Sequence, residues 1–354
     1  MSQQMIAAVF HASGDVRVQQ LDIPMPAAGE VLIKVLRSGI CGTDASEYKS
    51  GPKMFPINSQ HPTSGHIGPM VIGHEFIGEV VGLGEASGGF QTGEIVASGA
   101  GISCGQCVRC KQGRTNLCDR YVTLGLNRDG GLAEYVSVPV STLVRVPDGM
   151  NLDAAGIAQP LAVGLHAARR SGAKDGDKIL LIGAGAIGTF VLTALKHLYK
   201  VEVAVLDFGG SRLERAARLG ANHTVEVGDN AAQSIKETFA GSGIDVVIEA
   251  SGAPGQMQFA IDMVKRGGIV LQVGLPSKHQ EVDVHKIVLS EIDIRTTLAH
   301  VCDEDLAVSL DILASSTLAA ELIEGVYPLS EISNQLELLS TGKIQGKVLF
   351  DPSL

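Results

Sequence analysis

Residues 178–188 of this 354-residue chain read KILLIGAGAIG, an apolar strand that runs directly into a glycine-rich turn. The turn is a GxGxxG motif built on Gly183, Gly185 and Gly188. From there to Leu198 apolar side chains recur at steps of three and four residues, which predicts a helix with one apolar face against a sheet. A strand, a glycine turn and a helix in this order predict a right-handed βαβ unit.

Strand and helix patterns continue to alternate after this unit. Four further apolar stretches, VEVAVL, HTVEV, DVVIEA and IVLQV, begin at residues 201, 223, 245 and 269, with helical stretches between them. Regular alternation of this kind predicts an α/β fold with a parallel, doubly wound sheet. We place this domain at residues 156–295.

The first 155 residues have a different pattern, which predicts a mainly β domain. The clearest strands, broken by Gly and Pro, are VLIKVL (31–36), EFIGEVVGLG (75–84) and GLAEYVSVPV (131–140). After residue 300 the chain has a weakly patterned helical segment and then a short strand, GKVLF (346–350), with no partner strand nearby. We therefore expect residues 296–354 to return to the β domain of residues 1–155.

Composition and charge narrow the classes of function. Hydrophobic residues make up 45% of the chain, charged residues 19%, and the formal net charge is -10 with a pI near 5.5. This negative field repels nucleic-acid phosphates and anionic lipid, so neither nucleic acid nor a membrane is expected as a partner. The sequence has no basic leader and no apolar window of about 18 residues, which predicts a cytoplasmic protein.

The GxGxxG motif is the predicted dinucleotide site because it ends a strand and opens a helix. Its glycines permit a tight turn, let the backbone approach a pyrophosphate, and let helix and strand pack closely. The residues predicted to cradle the pyrophosphate are Gly183, Gly185, Ala186, Ile187 and Gly188. Asp207 ends the next strand, where a carboxylate accepts hydrogen bonds from the adenosine ribose, and its charge favours NAD over NADP.

Arg212, five residues after Asp207, is a further candidate cofactor-binding residue with two interpretations. An arginine at this point in the fold can pair with the 2′-phosphate of NADP, which would oppose the preference for NAD that Asp207 sets. Alternatively, Arg212 is a solvated charge on the helix SRLERAARLG.

Four of the six cysteines crowd into one turn-rich segment. Cys104, Cys107, Cys110 and Cys118 have the spacing C-x2-C-x2-C-x7-C. Four thiolates fill the tetrahedral shell of zinc, so this spacing predicts a structural zinc in a lobe at residues 100–120. A bacterial ferredoxin cluster instead needs three residues before the fourth cysteine and a proline after it, where this chain has seven residues and Asp119.

A second constellation consists of Cys41 in GICGTD and His74 with Glu75 in IGHEF. A thiolate and an imidazole, with carboxylates next to both, could hold a catalytic zinc that keeps one position open for substrate. Taken alone, a single Cys and a single His more often have a structural role, and only the surrounding motifs favour a metal.

These stretches together resemble the zinc-dependent medium-chain alcohol dehydrogenases along essentially the whole chain. The matching stretches are GICGTD, IGHEFIGEVVGLG, CGQCVRCKQGRTNLC, GGLAEYVSVP, QPLAVGLHAARR, GAGAIG and VGLP. The segment EYKSGP, with the long loop HPTSGHIGPMVIGHEF after it, is similar to the polyol and 2,3-butanediol branch. The resemblance implies a GroES-like catalytic domain, a Rossmann NAD-binding domain, and a homodimer or homotetramer.

The resemblance also implies the membership of the catalytic zinc site. Cys41 and His74 would be ligands, Glu75 would lie beside the metal, and Asp44 would orient His74. The third ligand of this branch is usually a Glu before PLAVG, and here that position is Gln159. Gln159 can coordinate zinc through its amide oxygen but adds no charge, so we expect weaker zinc binding, with Glu75 moving onto the metal in compensation.

For the reaction itself, the resemblance implies that Thr43 takes the alcohol proton and that the backbone at Val273, Gly274 and Leu275 receives the nicotinamide. Zinc would act as a Lewis acid on the alcohol, and NAD would accept the hydride. Ser46 stands where relatives commonly have a relay His, so we expect a pH profile without a histidine pKa of its own.

The predicted function is a zinc-dependent oxidoreductase that moves a hydride between a secondary alcohol, such as a vicinal diol, polyol or cyclitol, and NAD. Two alternatives stay open. One is a medium-chain reductase of an unrelated carbonyl substrate. The other is an NAD-binding, structural-zinc protein whose catalytic metal site has decayed, against which the retention of Cys41, His74, Glu75 and Thr43 argues.

Overall fold

A computed structural model describes residues 3–354 of the chain. The strands are β1 (Gln4–Ala12), β2 (Asp15–Asp22), β3 (Glu30–Gly39), β4 (Met70–Val71), β5 (Glu75–Leu83), β6 (Ile95–Ser98), β7 (Gly101–Ile102), β8 (Val122–Thr123), β9 (Tyr135–Pro139), β10 (Leu143–Arg145), β11 (Lys178–Ile182), β12 (Glu202–Asp207), β13 (His223–Glu226), β14 (Ile244–Glu249), β15 (Val264–Gln272), β16 (Asp293–Thr296), β17 (Ile323–Tyr327) and β18 (Lys347–Phe350).

The helices are α1 (Gly42–Ser50), α2 (Val108–Lys111), α3 (Leu152–Ala155), α4 (Ala158–Arg170), α5 (Ala186–Leu198), α6 (Ser211–Arg218), α7 (Ala231–Thr238), α8 (Gln256–Met263), α9 (Val284–Leu289), α10 (Cys302–Ser315), α11 (Leu318–Leu322) and α12 (Ile332–Ser340). Within residues 3–354, no helix combines the length and the apolar character that a membrane span requires.

The chain forms two compact units. One consists of residues 1–162 and 301–354, and the other of residues 163–300. The sequence pattern predicts the corresponding boundaries at 155/156 and 295/296.

The second unit contains the predicted doubly wound sheet, and this fold class is confirmed. Its strands are all parallel and lie in the order β13-β12-β11-β14-β15-β16. The chain starts in the middle at β11 and winds outward in both directions, so β12 and β14 flank β11 on opposite sides. Ligands of such sheets bind at the carboxyl ends of the strands beside this reversal, and the GxGxxG turn follows β11 directly.

The helix after the glycine turn departs from its prediction. Every residue from Gly188 to Leu195 is buried, so α5 does not have a single apolar face in its middle. The reason is a second packing partner, because a Cβ at Gly164 in α4 would come within 2.5 Å of the Phe190 Cβ. The sheet covers one side of α5 and α4 covers another.

The first unit is mainly β, as its pattern predicted. Its seven-stranded sheet has the order β10-β6-β5-β3-β18-β17, with β9 also paired to β3, and the chain adds a three-stranded sheet β2-β1-β4 and the small pair β7-β8. Val31, Ile33, Phe76 and Val136 belong to one of its cores, and all are buried.

The strand β18 pairs antiparallel with β3, which puts the end of the chain into the sheet of the first unit. The expectation that GKVLF has no nearby partner was wrong, because β17 pairs with it in parallel. β17 is only half-buried and lacks an alternating apolar pattern. Its sequence therefore does not indicate a strand within the segment after residue 300 that is predicted to be helical.

Candidate active site

Three side chains meet where β3 ends and β5 begins. Cys41 is the N-cap of α1, two residues after the end of β3, and His74 immediately precedes Glu75 at the start of β5. The antiparallel register sets Gly39 opposite Glu75, which brings the two segments together. One ligand atom each of Cys41, His74 and Glu75 lies within 4.8 Å of the others.

Asp44 links the two segments. It is buried in the first turn of α1, where one of its oxygens accepts a hydrogen bond of 2.8 Å from the Cys41 N–H. Its other oxygen lies 3.6 Å from Nδ1 of His74, and neither of these two buried atoms has a hydrogen-bond partner. With Nδ1 facing Asp44, Nε2 on the far side of the ring is left for a ligand bond.

The electrostatics of this pocket favour a cation. Burial lowers the pKa of His74, but the negative charge of Asp44 and the hydrogen bond with Cys41 outweigh it and raise the pKa to about 10. Sulfur, imidazole nitrogen and carboxylate oxygen are also the ligand atoms that zinc prefers. The residues present therefore fit a zinc ion.

Lys347 also lies in this pocket, although nothing in the sequence predicts it there. Its side chain extends from β18, is 4% exposed, and its ammonium donates to the carboxylate of Glu75 and, over 2.7 Å, to the carbonyl oxygen of Ile40. Gly39 makes room for this contact, because a Cβ there would lie 2.6 Å from Oε2 of Glu75. The ion pair thus holds Glu75 next to the segment that carries Cys41.

Three further residues from the sequence analysis, Thr43, Gln159 and Ser46, differ in their burial and in their contacts. The Thr43 hydroxyl lies 3.9 Å from Cys41 Sγ and is half-buried. Gln159 is the second residue of α4 and is buried, with 8% of its surface exposed. Ser46 is exposed, and its hydroxyl accepts a hydrogen bond of 3.0 Å from the Lys53 ammonium.

The four cysteines of the lobe also converge, with their Sγ atoms within 4.8 Å of one another. The backbone N–H of Cys104 donates to Cys118 Sγ at 3.2 Å, and that of Cys107 donates to Cys104 Sγ at 3.4 Å. Hydrogen bonds from backbone N–H groups lower the pKa of Cys104 to about 6, whereas burial raises that of Cys110 to about 11. This closed set of four sulfurs fits a structural zinc.

In the second unit, the backbone geometry requires glycine at the first and third glycines of the GxGxxG motif. Gly183 has a φ of +98°, which disfavours any side chain, and Gly185 is the N-cap of α5. A Cβ at Gly188 would lie 1.9 Å from the Gly183 carbonyl oxygen. Gly188 therefore lets α5 pack closely against the turn after β11, and the N-terminus of such a helix offers N–H groups to a pyrophosphate.

Asp207 ends β12 beside this turn and is 5% exposed. One of its oxygens accepts from the Ala184 N–H at 2.6 Å and the other from the Phe208 N–H at 2.7 Å. Nη1 of Arg212 lies 3.6 Å from Asp207 Oδ1, so this guanidinium is paired with the carboxylate and is not simply solvated.

Val273, Gly274 and Leu275 follow β15 at the carboxyl edge of the same sheet. The N–H groups of Val273 and Gly274 donate to the backbone carbonyl oxygen of Glu249 at 2.8 and 2.9 Å. Leu275 is 92% exposed. Glu249 was not predicted as a site residue, although its position as an acidic end to an apolar strand was a usable signal.

Two family models match the chain. Residues 27–148 match the alcohol dehydrogenase GroES-like domain, and residues 186–315 match the zinc-binding dehydrogenase family. A sorbitol dehydrogenase of Bacillus subtilis strain 168 is 34% identical over 301 residues, which cover 82% of this chain and 81% of the relative. An L-threonine 3-dehydrogenase of Shewanella baltica is 30% identical over 335 residues, which cover 93% and 94% of the two chains.

Among solved structures, the 2R,3R-butanediol dehydrogenase of Bacillus subtilis superimposes with a TM-score of 0.89 at 30% identity, covering 98% of this chain and 99% of that one. The chain therefore belongs to the zinc-dependent medium-chain alcohol dehydrogenases, in the branch of the polyol and butanediol dehydrogenases. It is an oxidoreductase with a GroES-like domain and a Rossmann-type domain, as the sequence predicted.

Proposed function

We propose that this protein oxidises a secondary alcohol with a neighbouring polar group, such as a vicinal diol, polyol or cyclitol, using NAD. The observation that carries the proposal is the convergence of Cys41, His74 and Glu75 in one pocket. The names of the relatives support the substrate class, because sorbitol, 2,3-butanediol and threonine each contain a secondary alcohol beside a hydroxyl or amine.

When bound, zinc supplies a Lewis acid that lowers the pKa of the alcohol, and NAD supplies the hydride acceptor. Cys41 and His74 would hold the metal, with Glu75 or Gln159 as the third ligand. Asp44 keeps Nε2 of His74 free by facing Nδ1. The hydroxyl of Thr43, next to Cys41 Sγ, takes the proton from the substrate hydroxyl and passes it toward solvent.

The proposal specifies NAD because of Asp207. Two backbone N–H groups fix its carboxylate, so the charge cannot turn away from a 2′-phosphate. The pairing of Arg212 with Asp207 also leaves that guanidinium less available to bind such a phosphate. A nucleotide with a free 2′-hydroxyl suits this arrangement.

We further propose that two copies associate through the edge of the parallel sheet, as a homodimer or within a homotetramer. β16 is the edge strand, and α9 beside it exposes Val284, Val288 and Leu289 to 61%, 69% and 61%. An edge strand beside exposed apolar side chains suits pairing with the same edge of a second copy. Leu289→Glu would then lower the oligomeric state measured by light scattering.

We propose a cytoplasmic location for the protein. Among residues 3–354 the cysteines are free thiols, and four of them form the lobe cluster. A reducing compartment keeps such thiols available to a metal.

A screen of NAD reduction with added zinc tests the function. The substrates would be sorbitol, both enantiomers of 2,3-butanediol, cyclitols and L-threonine, with zinc counted per subunit. We expect turnover of at least one diol or polyol, two zinc ions per subunit, and one in Cys41→Ala. A single zinc per subunit in the wild type and no turnover of any secondary alcohol would instead favour a decayed catalytic site.

A further inference from the structure

Glu249 is a buried carboxylate at the end of β14, with 1% of its surface exposed. Oε1 accepts from the N–H groups of Ser251 at 2.8 Å and Gly252 at 3.0 Å, and from the Ser251 hydroxyl. Oε2 accepts from the Gly252 N–H at 3.0 Å and from the side-chain amide of Gln272. Each of these partners is a neutral donor, so the hydrogen bonds suit an ionised carboxylate but leave its charge uncompensated.

The carboxylate lies against the turn that follows β15. The Gln272 amide bridges it to the Gly274 carbonyl oxygen at 2.6 Å, and Oε1 of Gln272 is buried without a partner. A Cβ at Gly274 would lie 2.1 Å from the Gly252 nitrogen and 2.8 Å from Oε2 of Glu249. The backbone at 273–275 is therefore packed directly on a buried negative charge.

A buried charge without an opposite charge costs stability, because burial removes the water that solvates it. For this reason charged residues are almost never fully buried unless they are paired. A nicotinamide bound at this backbone would offset the cost in only one of its two redox states. The oxidised ring carries a positive charge and the reduced ring is neutral, whereas the rest of the dinucleotide keeps the same charge. Because the Glu249 carboxylate itself is shielded from solvent, its attraction for a positively charged ring is screened less than that of a surface carboxylate.

We propose that Glu249 tunes the cofactor equilibrium, favouring binding of oxidised NAD over NADH through its uncompensated charge. This inference rests on the proposed function, specifically on nicotinamide binding at residues 273–275. It gives Glu249 a role beyond holding two turns together, because a purely structural residue would affect both redox states of the cofactor equally.

The test is equilibrium binding without substrate, with NADH followed by its fluorescence and NAD by competition. For Glu249→Gln we expect the ratio Kd(NAD)/Kd(NADH) to rise about tenfold, equivalent to about 30 mV in the two-electron potential of the bound cofactor. Gln272→Lys should raise the same ratio, because it sets a cation beside an intact carboxylate. Gln272→Met is the matched control, since it removes the same amide but keeps the uncompensated charge, and its ratio should stay that of the wild type.

An equal change in both affinities in Glu249→Gln would reduce Glu249 to a positioning residue and overturn the proposal. If that variant does not fold, Gln272→Lys compared with Gln272→Met decides alone, and equal ratios in these two would overturn it. If the wild type binds neither nucleotide, the proposed function itself fails, which differs from binding with an unchanged ratio.

Discussion

The ammonium of Lys347 and the carboxylate of Glu75 form a buried ion pair beside Cys41 and His74. The pair joins β18 to the start of β5, and the same ammonium donates to the carbonyl oxygen of Ile40. Because Glu75 pairs with Lys347 and would also reach a metal held by Cys41 and His74, we expect the ion pair to set how freely this carboxylate turns to zinc.

Lys347→Met tests this relationship through stability. Removing one partner of a buried ion pair costs about 3–5 kcal/mol, because the other charge is left uncompensated. Zinc would restore a positive partner for Glu75, so we expect zinc to raise the melting temperature more in Lys347→Met than in the wild type. Lys347→Arg keeps the charge and should respond to zinc as the wild type does. An identical zinc response in Lys347→Met and the wild type would contradict the prediction.

Gln159 and Glu75 are the two proposed candidates for the third zinc ligand, and measurements of zinc affinity in variants distinguish between them. If Gln159 binds the metal, Gln159→Glu adds a negative charge to the shell and should tighten zinc binding at least tenfold in a chelator competition. Gln159→Ala should weaken it, with Glu75→Gln as the comparison. Wild-type affinity in both Gln159 variants, together with a loss in Glu75→Gln, would assign the third position to Glu75.

Asp207→Ser should shift the cofactor preference toward NADP. The substitution removes the fixed charge that repels a 2′-phosphate and releases Arg212 from its ion pair. We expect the ratio of kcat/KM for NAD to that for NADP to fall at least tenfold. Adding Arg212→Ala should reverse part of the shift. An unchanged ratio in Asp207→Ser would remove Asp207 from the determinants of specificity.

The lobe cysteines are expected to contribute stability but not chemistry. Cys107→Ser removes one thiolate of the cluster, so it should lose one zinc per subunit and lower the melting temperature by roughly 10 °C. The matched control is Cys302→Ser, a buried cysteine outside the cluster, which should keep both zinc ions. A Cys107→Ser protein that keeps two zinc ions would argue against the four-sulfur site.

The pH dependence of stability should include a contribution from Glu30. Burial raises its pKa, but hydrogen bonds from Arg128 at 2.6 Å and Ser137 at 2.7 Å outweigh this and hold the pKa below its ordinary value. A depressed pKa stabilises the fold above the unfolded-state value, and this stabilisation is lost as the pH falls through the folded-state value. Glu30→Gln should therefore melt lower than the wild type at pH 7.

The difference in melting temperature between Glu30→Gln and the wild type should shrink below about pH 4, where the unfolded carboxylate is protonated. Melting curves of both proteins from acid to neutral pH measure it directly. A difference that stays constant over this range would assign the effect to packing.

Local patterns predicted the central strands β11, β12 and β14 of the second unit well, because each is a largely apolar run. KILLI coincides with β11 residue for residue, and the glycines after it have the conformations that the motif requires. The buried charges were harder to predict. Lys347 opens an ordinary strand in the sequence, and it enters the metal pocket only because β18 pairs with β3, far away in the chain.

The same limit applies to β17 and Glu249. β17 has no alternating pattern of its own and is a strand because β18 lies beside it. Glu249 reads as the polar end of an apolar strand, and its contact with the turn after β15 depends on the pairing of β14 with β15. Periodicity reports which face of an element is buried, but it does not report which distant residue covers that face.

The pairing of Lys347 with Glu75 also has a consequence for the order of biosynthesis. The two residues are separated by 272 positions, and the whole nucleotide-binding unit is translated between them. At about 5–20 residues per second, this interval lasts roughly 14–54 s. Until Lys347 is made, Cys41, His74 and Glu75 have no lysine beside them, so we expect a metal ion that arrives early to meet more negative ligands than the finished protein presents.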